Sequence, residues 1–345
     1  MKYCEEYYSD LRKTILSVPG TGDLHCKKIL ITGATGLICS GVVDLLHTLN
    51  TENNAGIEII IAGRSAQRTS ARFYEMKEGK DYRFAPYDAT KPVSFDFPVD
   101  YIIHGACSAS PAAYVKTPVE IMESNIIGIG NLLKYASDKA VKRVLYISSS
   151  EVYGKKEGNE PYKEDDYGFV DILNARAPYP SSKRAAETLL TAYGSEYGTD
   201  AVIVRPGHIY GPAITPSDDK ATAQFTRNAV KGEPIIMKSA GMQLRSYTYF
   251  LDCASAVLTV LLKGEKGNAY NVSNPDSVIT ISKIAELIAD AAGMKIKYED
   301  PTATEAAGYN LMSNSSLDAS KLLALGWKPL FCAREGAKKC VRLYF

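Results

Sequence analysis

The chain has 345 residues, 46% of them hydrophobic and 23% charged, with a formal net charge of +1, an ordinary globular balance that argues against nucleic-acid or membrane-surface binding through bulk electrostatics. Its longest strongly apolar run, Ala256–Leu262, is too short to cross a bilayer, and the first residues hold no apolar stretch of the signal-peptide kind. Seven scattered cysteines, none in Cys-x-x-Cys spacing, and four scattered histidines give neither a metal site nor a disulfide framework, so the chain reads as a soluble, cytoplasmic protein without a metal.

Tyr7, Tyr8, Leu11, Ile15 and Leu16 recur at helical spacing before a Pro19–Gly22 turn, so residues 1–26 form a helical extension that packs on the body or on another subunit. Lys27–Thr32 is a buried strand, followed by the turn Gly33-Ala-Thr-Gly36-Leu-Ile-Cys39 and an apolar-periodic helix through Leu49. Strand, glycine-rich turn and helix are the setting in which such glycines let a helix N-terminus approach a pyrophosphate. Cys39 stands where a third glycine is usual. The second strand, Ile57–Ala62, ends in Gly63-Arg64-Ser65, with no acid to bind the ribose hydroxyls of NAD. Arg64 suits a 2′-phosphate, or stacks on adenine, or is merely exposed, which leaves NAD and NADP both open.

Further strands are expected at Tyr82–Tyr87, ending in Asp88, at Val99–Ile103, running into the small-residue turn His104–Ser108, and at Arg143–Ile147, running into Ser148-Ser-Ser-Glu151. A long helix spans Pro118–Asp138 and carries Asn125. Alternation of this kind gives an α/β fold with a doubly wound parallel sheet and a site at the strands' C-terminal ends. After Arg205, Ser217–Ala221 and the helix to Lys231 begin a smaller lobe, while Leu251–Leu262 and Ala269–Val272 return to the main sheet. The sole tryptophan, Trp327, reads as a packed turn.

Tyr179 and Lys183 lie one helical turn apart, so the ammonium is expected to pull the phenol below its usual pKa near ~10 and make it a general base. A serine hydroxyl, a tyrosine base and a lysine beside a dinucleotide are what alcohol–ketone interconversion by hydride transfer requires. A solvated helix face is the alternative for the pair on its own, a buried acid satisfied by backbone amides for Glu151, and a surface ion pair for Arg245.

These features together resemble the extended short-chain dehydrogenase/reductase family that modifies nucleotide sugars. The resemblance rests on Gly33-Ala-Thr-Gly-Leu-Ile38, Asp88, Asn125, Ile147-Ser-Ser-Ser-Glu-Val-Tyr-Gly154, Tyr179-xxx-Lys183, Arg205-Pro-Gly-His-Ile-Tyr-Gly-Pro212 and Gln243-Leu-Arg-Ser-Tyr247. It implies a Rossmann fold with a smaller C-terminal α/β substrate lobe: 27–206 for the dinucleotide, with 247–272 returning to it, and 207–345 for the substrate. It implies NAD, with NADP left possible by Arg64, held by Gly33, Thr35, Gly36, Leu37, Ile38, Arg64, Asp88, Ala89, Ala106, Asn125 and Lys183. Catalysis would fall to Tyr179, Lys183, Ser149 and Glu151, and a nucleotide sugar would meet Ser150, Arg176, His208 and Arg245.

Within the family, Ser149-Ser150-Glu151 is similar to the Thr-Ser-Glu of UDP-glucuronate decarboxylases, as are Tyr167-Gly-Phe-Val-Asp171 and Arg176-Ala-Pro-Tyr179 to their neighbouring stretches. The 4,6-dehydratases carry an aspartate where Ser150 stands, and 4-epimerases usually lack the glutamate. Departures are Pro180-Ser-Ser182 between tyrosine and lysine, and His208 in place of an asparagine. A 4-epimerase, a 4,6-dehydratase and a non-catalytic redox sensor remain as alternatives. The family's mode of pairing implies a homodimer through helices near 118–138 and 178–197, with no nucleic-acid or membrane partner.

Overall fold

The computed structural model describes residues 1–107, 110–216, 218–302 and 312–344, so the expected positions Ser108 and Ser217 lie outside the described residues. In chain order the strands are β1 Lys28–Thr32, β2 Glu58–Gly63, β3 Arg83–Pro86, β4 Tyr101–His104, β5 Arg143–Ile147, β6 Ala201–Pro206, β7 His208–Tyr210, β8 Ile235–Met237, β9 Leu244–Tyr249, β10 Ala269–Val272, β11 Val278–Thr280, β12 Ile296–Tyr298 and β13 Asn314–Ser315. The helices used below are α1 Glu5–Leu16, α2 Leu37–Asn53, α3 Ala66–Arg72, α4 Pro111–Lys116, α5 Pro118–Asp138, α6 Pro178–Glu196, α7 Ala221–Lys231 and α8 Phe250–Lys263.

Runs such as Ile29-Leu30-Ile31 and Ile59-Ile60-Ile61 are apolar at consecutive positions, which suits strands covered on both faces by helices. They form a seven-stranded sheet in the order β3-β2-β1-β4-β5-β6-β10, paired in parallel throughout. Strand order reverses between β1 and β4, and the crevice that a ligand enters in such sheets opens at that point. One face carries α2 and α8, the other α5 and α6. Strand β10 pairs with β6 (Ala269 with Ile203 through Val272 with Pro206), so the chain leaves the main sheet after β6 and comes back. The smaller lobe is built on β9, which pairs with β7, β11 and β13. Trp327 is 1% exposed and donates its indole N–H to Ser255 Oγ at 2.9 Å, pinning the C-terminal segment to α8.

The N-terminal helix packs on this chain's own body. Tyr7 is fully buried, and Tyr3 and Tyr7 donate their hydroxyls to the two oxygens of Asp44 on α2 at 2.7 and 2.6 Å. Arg72 on α3 pairs with the same buried carboxylate at 2.9 Å. A carboxylate taken out of water needs such partners, so the extension is clamped to the helix that starts at the glycine turn.

Candidate active site

At the switch point, Thr32 Oγ1 accepts the N–H groups of Gly105 and Ala106 at 3.2 Å each and lies 2.7 Å from His104 Nδ1. The ends of β1 and β4 are thereby stitched together. Burial pulls His104 down to about 3, so this ring is neutral. Gly33 has φ +68°, and a Cβ there would stand 2.5 Å from the carbonyl oxygen of Gly105, so both conformation and space demand glycine. Gly36 caps α2 without a side-chain hydrogen bond, which leaves the first N–H groups of the helix facing the crevice for an anion. This cradle fits a dinucleotide pyrophosphate. Cys39 is also accounted for: a Cβ on Gly105 would stand 2.5 Å from its sulfur. The close approach that a glycine in the helix usually permits is provided here by a glycine in the facing turn. Burial pushes the Cys39 thiol up to about 12, so it is a packing group.

The other residues expected at the cofactor are spread along the same edge. Arg64 is largely exposed and lies 3.8 Å from Glu120. Asp88 accepts the N–H and hydroxyl of Thr90 at 3.0 and 2.9 Å, which hold its carboxyl below the usual range. Ala89 packs against α5, where a Cβ on Gly128 would come within 3.0 Å of its own. Asn125 is fully buried and donates to Ser182 Oγ at 3.0 Å, while its side-chain oxygen has no partner among the described residues.

The end of β5 meets the start of α6. Ser149 Oγ caps the short turn Ser150–Tyr153 by accepting the Glu151 N–H at 3.2 Å. Arg176 Nη2 reaches both Glu151 oxygens, at 2.9 and 3.1 Å. Burial raises the Glu151 carboxyl, against the opposing pull of Arg176 and then Arg245. Arg245 is 2% exposed and donates to the carbonyls of Leu244 and Met312 at 2.9 Å each. His208 lies beside Tyr247, its Nδ1 without a partner among the described residues, and is held near 3 by burial with Arg245, Lys220 and Arg176 around it. It is a neutral ring between cations.

Tyr179 is 5% exposed, and its pKa departs from the expectation drawn from helical spacing. Burial raises the phenol well above 10, with Cys107 and Glu151 acting the same way, while Ser149 and Tyr114 act in the opposite direction. The Lys183 ammonium is directed elsewhere. It donates to the Ile147 carbonyl at 2.8 Å and sits 4.6 Å from the Tyr146 ring centroid, against 5.9 Å for Tyr179. Burial lowers Lys183 itself.

Sequence reasoning missed two groups. Tyr114 stacks on Tyr179, with ring centroids 4.5 Å apart. Behind the serine run, Ser148 Oγ donates to Glu187 at 2.5 Å, and Arg205 binds Glu187 through Nη2 at 2.6 Å and Nε at 3.1 Å. Arg205 also donates to Tyr153 Oη, which donates to Asn271 Oδ1 on β10. Ser148 is thus engaged in structure, which leaves Ser149 and Ser150 at the crevice. The signal was available in Arg205, a charged residue at the end of the apolar run Ala201–Val204. Among the described residues no group of His, Cys, Asp and Glu is arranged to hold a metal ion, and no helix is long and apolar enough to cross a membrane.

The chain is similar to several known proteins. UDP-glucuronic acid decarboxylase 6 of Arabidopsis thaliana is 30% identical over 312 residues, 90% of this chain and 86% of the relative. UDP-glucuronic acid decarboxylase 1 of Xenopus tropicalis is 28% identical over 92% of this chain and 72% of its own. Among solved structures, a UDP-glucose 4-epimerase from Thermotoga maritima superposes with a TM-score of 0.75 at 24% identity, covering 92% of this chain and 98% of that one. A UDP-glucuronic acid 4-epimerase from Bacillus cereus, solved with UDP-glucuronic acid and NAD, gives 0.76 at 21% identity, covering 91% and 98%. The family model for NAD dependent epimerases and dehydratases matches residues 29–273, most of the chain. The chain belongs to the NAD dependent epimerase/dehydratase family.

Proposed function

We propose that this enzyme acts on a nucleotide sugar and decarboxylates UDP-glucuronate by way of a 4-keto sugar. The observation that carries the reading is the single cluster formed by Ser149, Glu151, Arg176 and Tyr179 at the end of β5, with Arg245 near enough to act on Glu151. Likeness over 90% of the chain to relatives that bear the decarboxylase name supports the same choice.

A dinucleotide, NAD in this reading, would lie on Gly33, Thr35, Gly36, Leu37 and Ile38 and along Arg64, Asp88, Ala89, Ala106, Asn125 and Lys183. When bound it supplies the hydride acceptor and donor. Tyr179 takes the proton of the C4 hydroxyl, and Ser149 holds that oxygen by a hydrogen bond, a form of general-base catalysis worth about 10²–10⁴-fold. Lys183, whose ammonium donates to the Ile147 carbonyl, would orient the ribose of the bound dinucleotide. Glu151, raised by burial and held by Arg176, delivers a proton to the sugar after loss of CO₂. Arg176, Arg245, Ser150 and the neutral His208 receive the anionic substrate. We further propose pairing of two copies through α5 and α6, which the exposed Val119 and Ile127 on α5 support, and a reducing, cytoplasmic setting that suits seven free thiols.

Incubation of the purified protein with UDP-glucuronate should release CO₂ and yield a UDP-pentose. Absence of both, with turnover of UDP-glucose or dTDP-glucose instead, would replace decarboxylation by epimerisation or dehydration. The dinucleotide released on denaturation, weighed by mass spectrometry, decides NAD against NADP, and light scattering decides the dimer.

A further inference from the structure

Two buried phenols share the candidate site. The Tyr114 and Tyr179 ring planes lie 21° apart with centroids 4.5 Å apart, and 4% and 5% of the two residues is exposed, so the rings cover one another. The Arg176 guanidinium that holds Glu151 stands 5.5 Å from the Tyr114 centroid. Helix α4, which carries Tyr114, is itself anchored: Ser110 Oγ accepts the Ala113 N–H and donates to Asp219 Oδ2 at 2.8 Å, on the segment leading to α7. A residue packed this tightly on a proton acceptor fixes both the plane of its ring and the partners of its oxygen.

We propose that Tyr114 is a positioning residue for Tyr179, its ring setting the plane of that phenol and its hydroxyl donating to the phenol oxygen. The inference rests on the reading of Tyr179 as the base. Ser149 and Tyr114 both favour the charged form of Tyr179, while Cys107 and Glu151 face it as groups that disfavour charge, and Lys183 lies beside its ring. Tyr114 in turn faces Glu151, Cys107 and Arg176. A Tyr114 hydroxyl carried on the stacked ring and donating to the phenol oxygen would stabilise the phenolate that burial opposes. Its ring keeps the acceptor oriented while α4 ties that orientation to the smaller lobe.

The test needs no substrate. With 3,5-difluorotyrosine placed at position 179, a phenol that ionises well below tyrosine, the ¹⁹F signal is titrated in the full-length protein. Tyr114→Phe keeps the ring and removes the donor, and it is expected to raise the ionisation by about one to two pH units. Tyr114→His, with a ring and an N–H donor, should fall between that variant and the parent. Ionisation at the parental pH in Tyr114→Phe, or in Tyr114→Ala should the Phe variant not fold, overturns the proposal. In turnover the Phe variant should lose kcat with KM unchanged and recover toward high pH; an equal loss at every pH would make Tyr114 merely structural. Because the titration runs without turnover, it stands or falls separately from the choice of UDP-glucuronate.

Discussion

Glu187→Gln changes one buried atom and tests the network that supports the serine run. Glu187 and Arg205 are 8% and 4% exposed. The carboxylate accepts from Arg205 at 2.6 and 3.1 Å and from Ser148 at 2.5 Å. Glutamine keeps one acceptor oxygen but turns an N–H₂ toward the guanidinium or the serine. Arg205 retains Tyr153 Oη and the Glu164 carbonyl, so its charge stays partly compensated. Breaking one side of a buried pair costs about 3–5 kcal/mol, and those remaining acceptors place this case near the lower end, at about 3 kcal/mol. At roughly 2 °C per kcal/mol for a chain of this size, Tm should fall by about 6 °C. Differential scanning calorimetry measures it directly. The companion double variant Glu187→Leu with Arg205→Met removes both charges and should recover most of the loss. A Tm for Glu187→Gln within about 1 °C of the parent, or a double variant no better than the single, would refute the account of this pair as an interdependent buried ion pair.

Gly33→Ala requires an L side chain at φ +68° and within 2.5 Å of the Gly105 carbonyl oxygen, so it should abolish dinucleotide retention, as read by mass spectrometry of the denatured protein; normal retention would contradict the cradle. Gly105→Ala drives a methyl into the Cys39 sulfur and should destabilise by about 1–3 kcal/mol, with Cys39→Gly restoring part of the loss; purely additive melting shifts would disprove the coupling. Asp252 is buried and its carboxyl is raised to about 7 although it accepts the N–H groups of Leu330 and Phe331. The folded state binds this proton more tightly than the unfolded one, so its contribution is full below about pH 4 and is lost as pH rises through 7. Stability of Asp252→Asn relative to the parent should therefore climb between pH 4 and 7; a constant difference in Tm would rule this out.

Much of the fold was legible because its signals are local. Apolar runs of strand length, helical periodicity and the Gly33–Gly36 turn repeat at the β-α rhythm of a parallel sheet, and the observed β1, β2, α5 and β5 lie within a residue or two of those signals, while α2 runs about a turn further at each end. The N-terminal segment was legible as a helix but not as to its partner, since Tyr3, Tyr7 and Arg72 converge on Asp44 only after the chain has folded back. The strand end Ser148–Glu151 and the pair Tyr179 and Lys183 were legible as chemistry because residue type and spacing carry it.

By itself, then, the sequence determined the alternation of elements, the need for glycine at the first turn and the presence of a tyrosine, a lysine, serines and a glutamate suited to hydride-transfer chemistry. Tertiary structure alone decided which of them meet and in what environment. It set Cys39 over Gly105, Arg205 on Glu187 and Tyr114 on Tyr179, pairs far apart along the chain. It also reversed the direction in which Tyr179 is shifted. Spacing on a helix brings an ammonium near a phenol, but burial is a property of the whole fold. Here burial acts on the phenol more strongly than a lysine whose ammonium is turned to the Ile147 carbonyl.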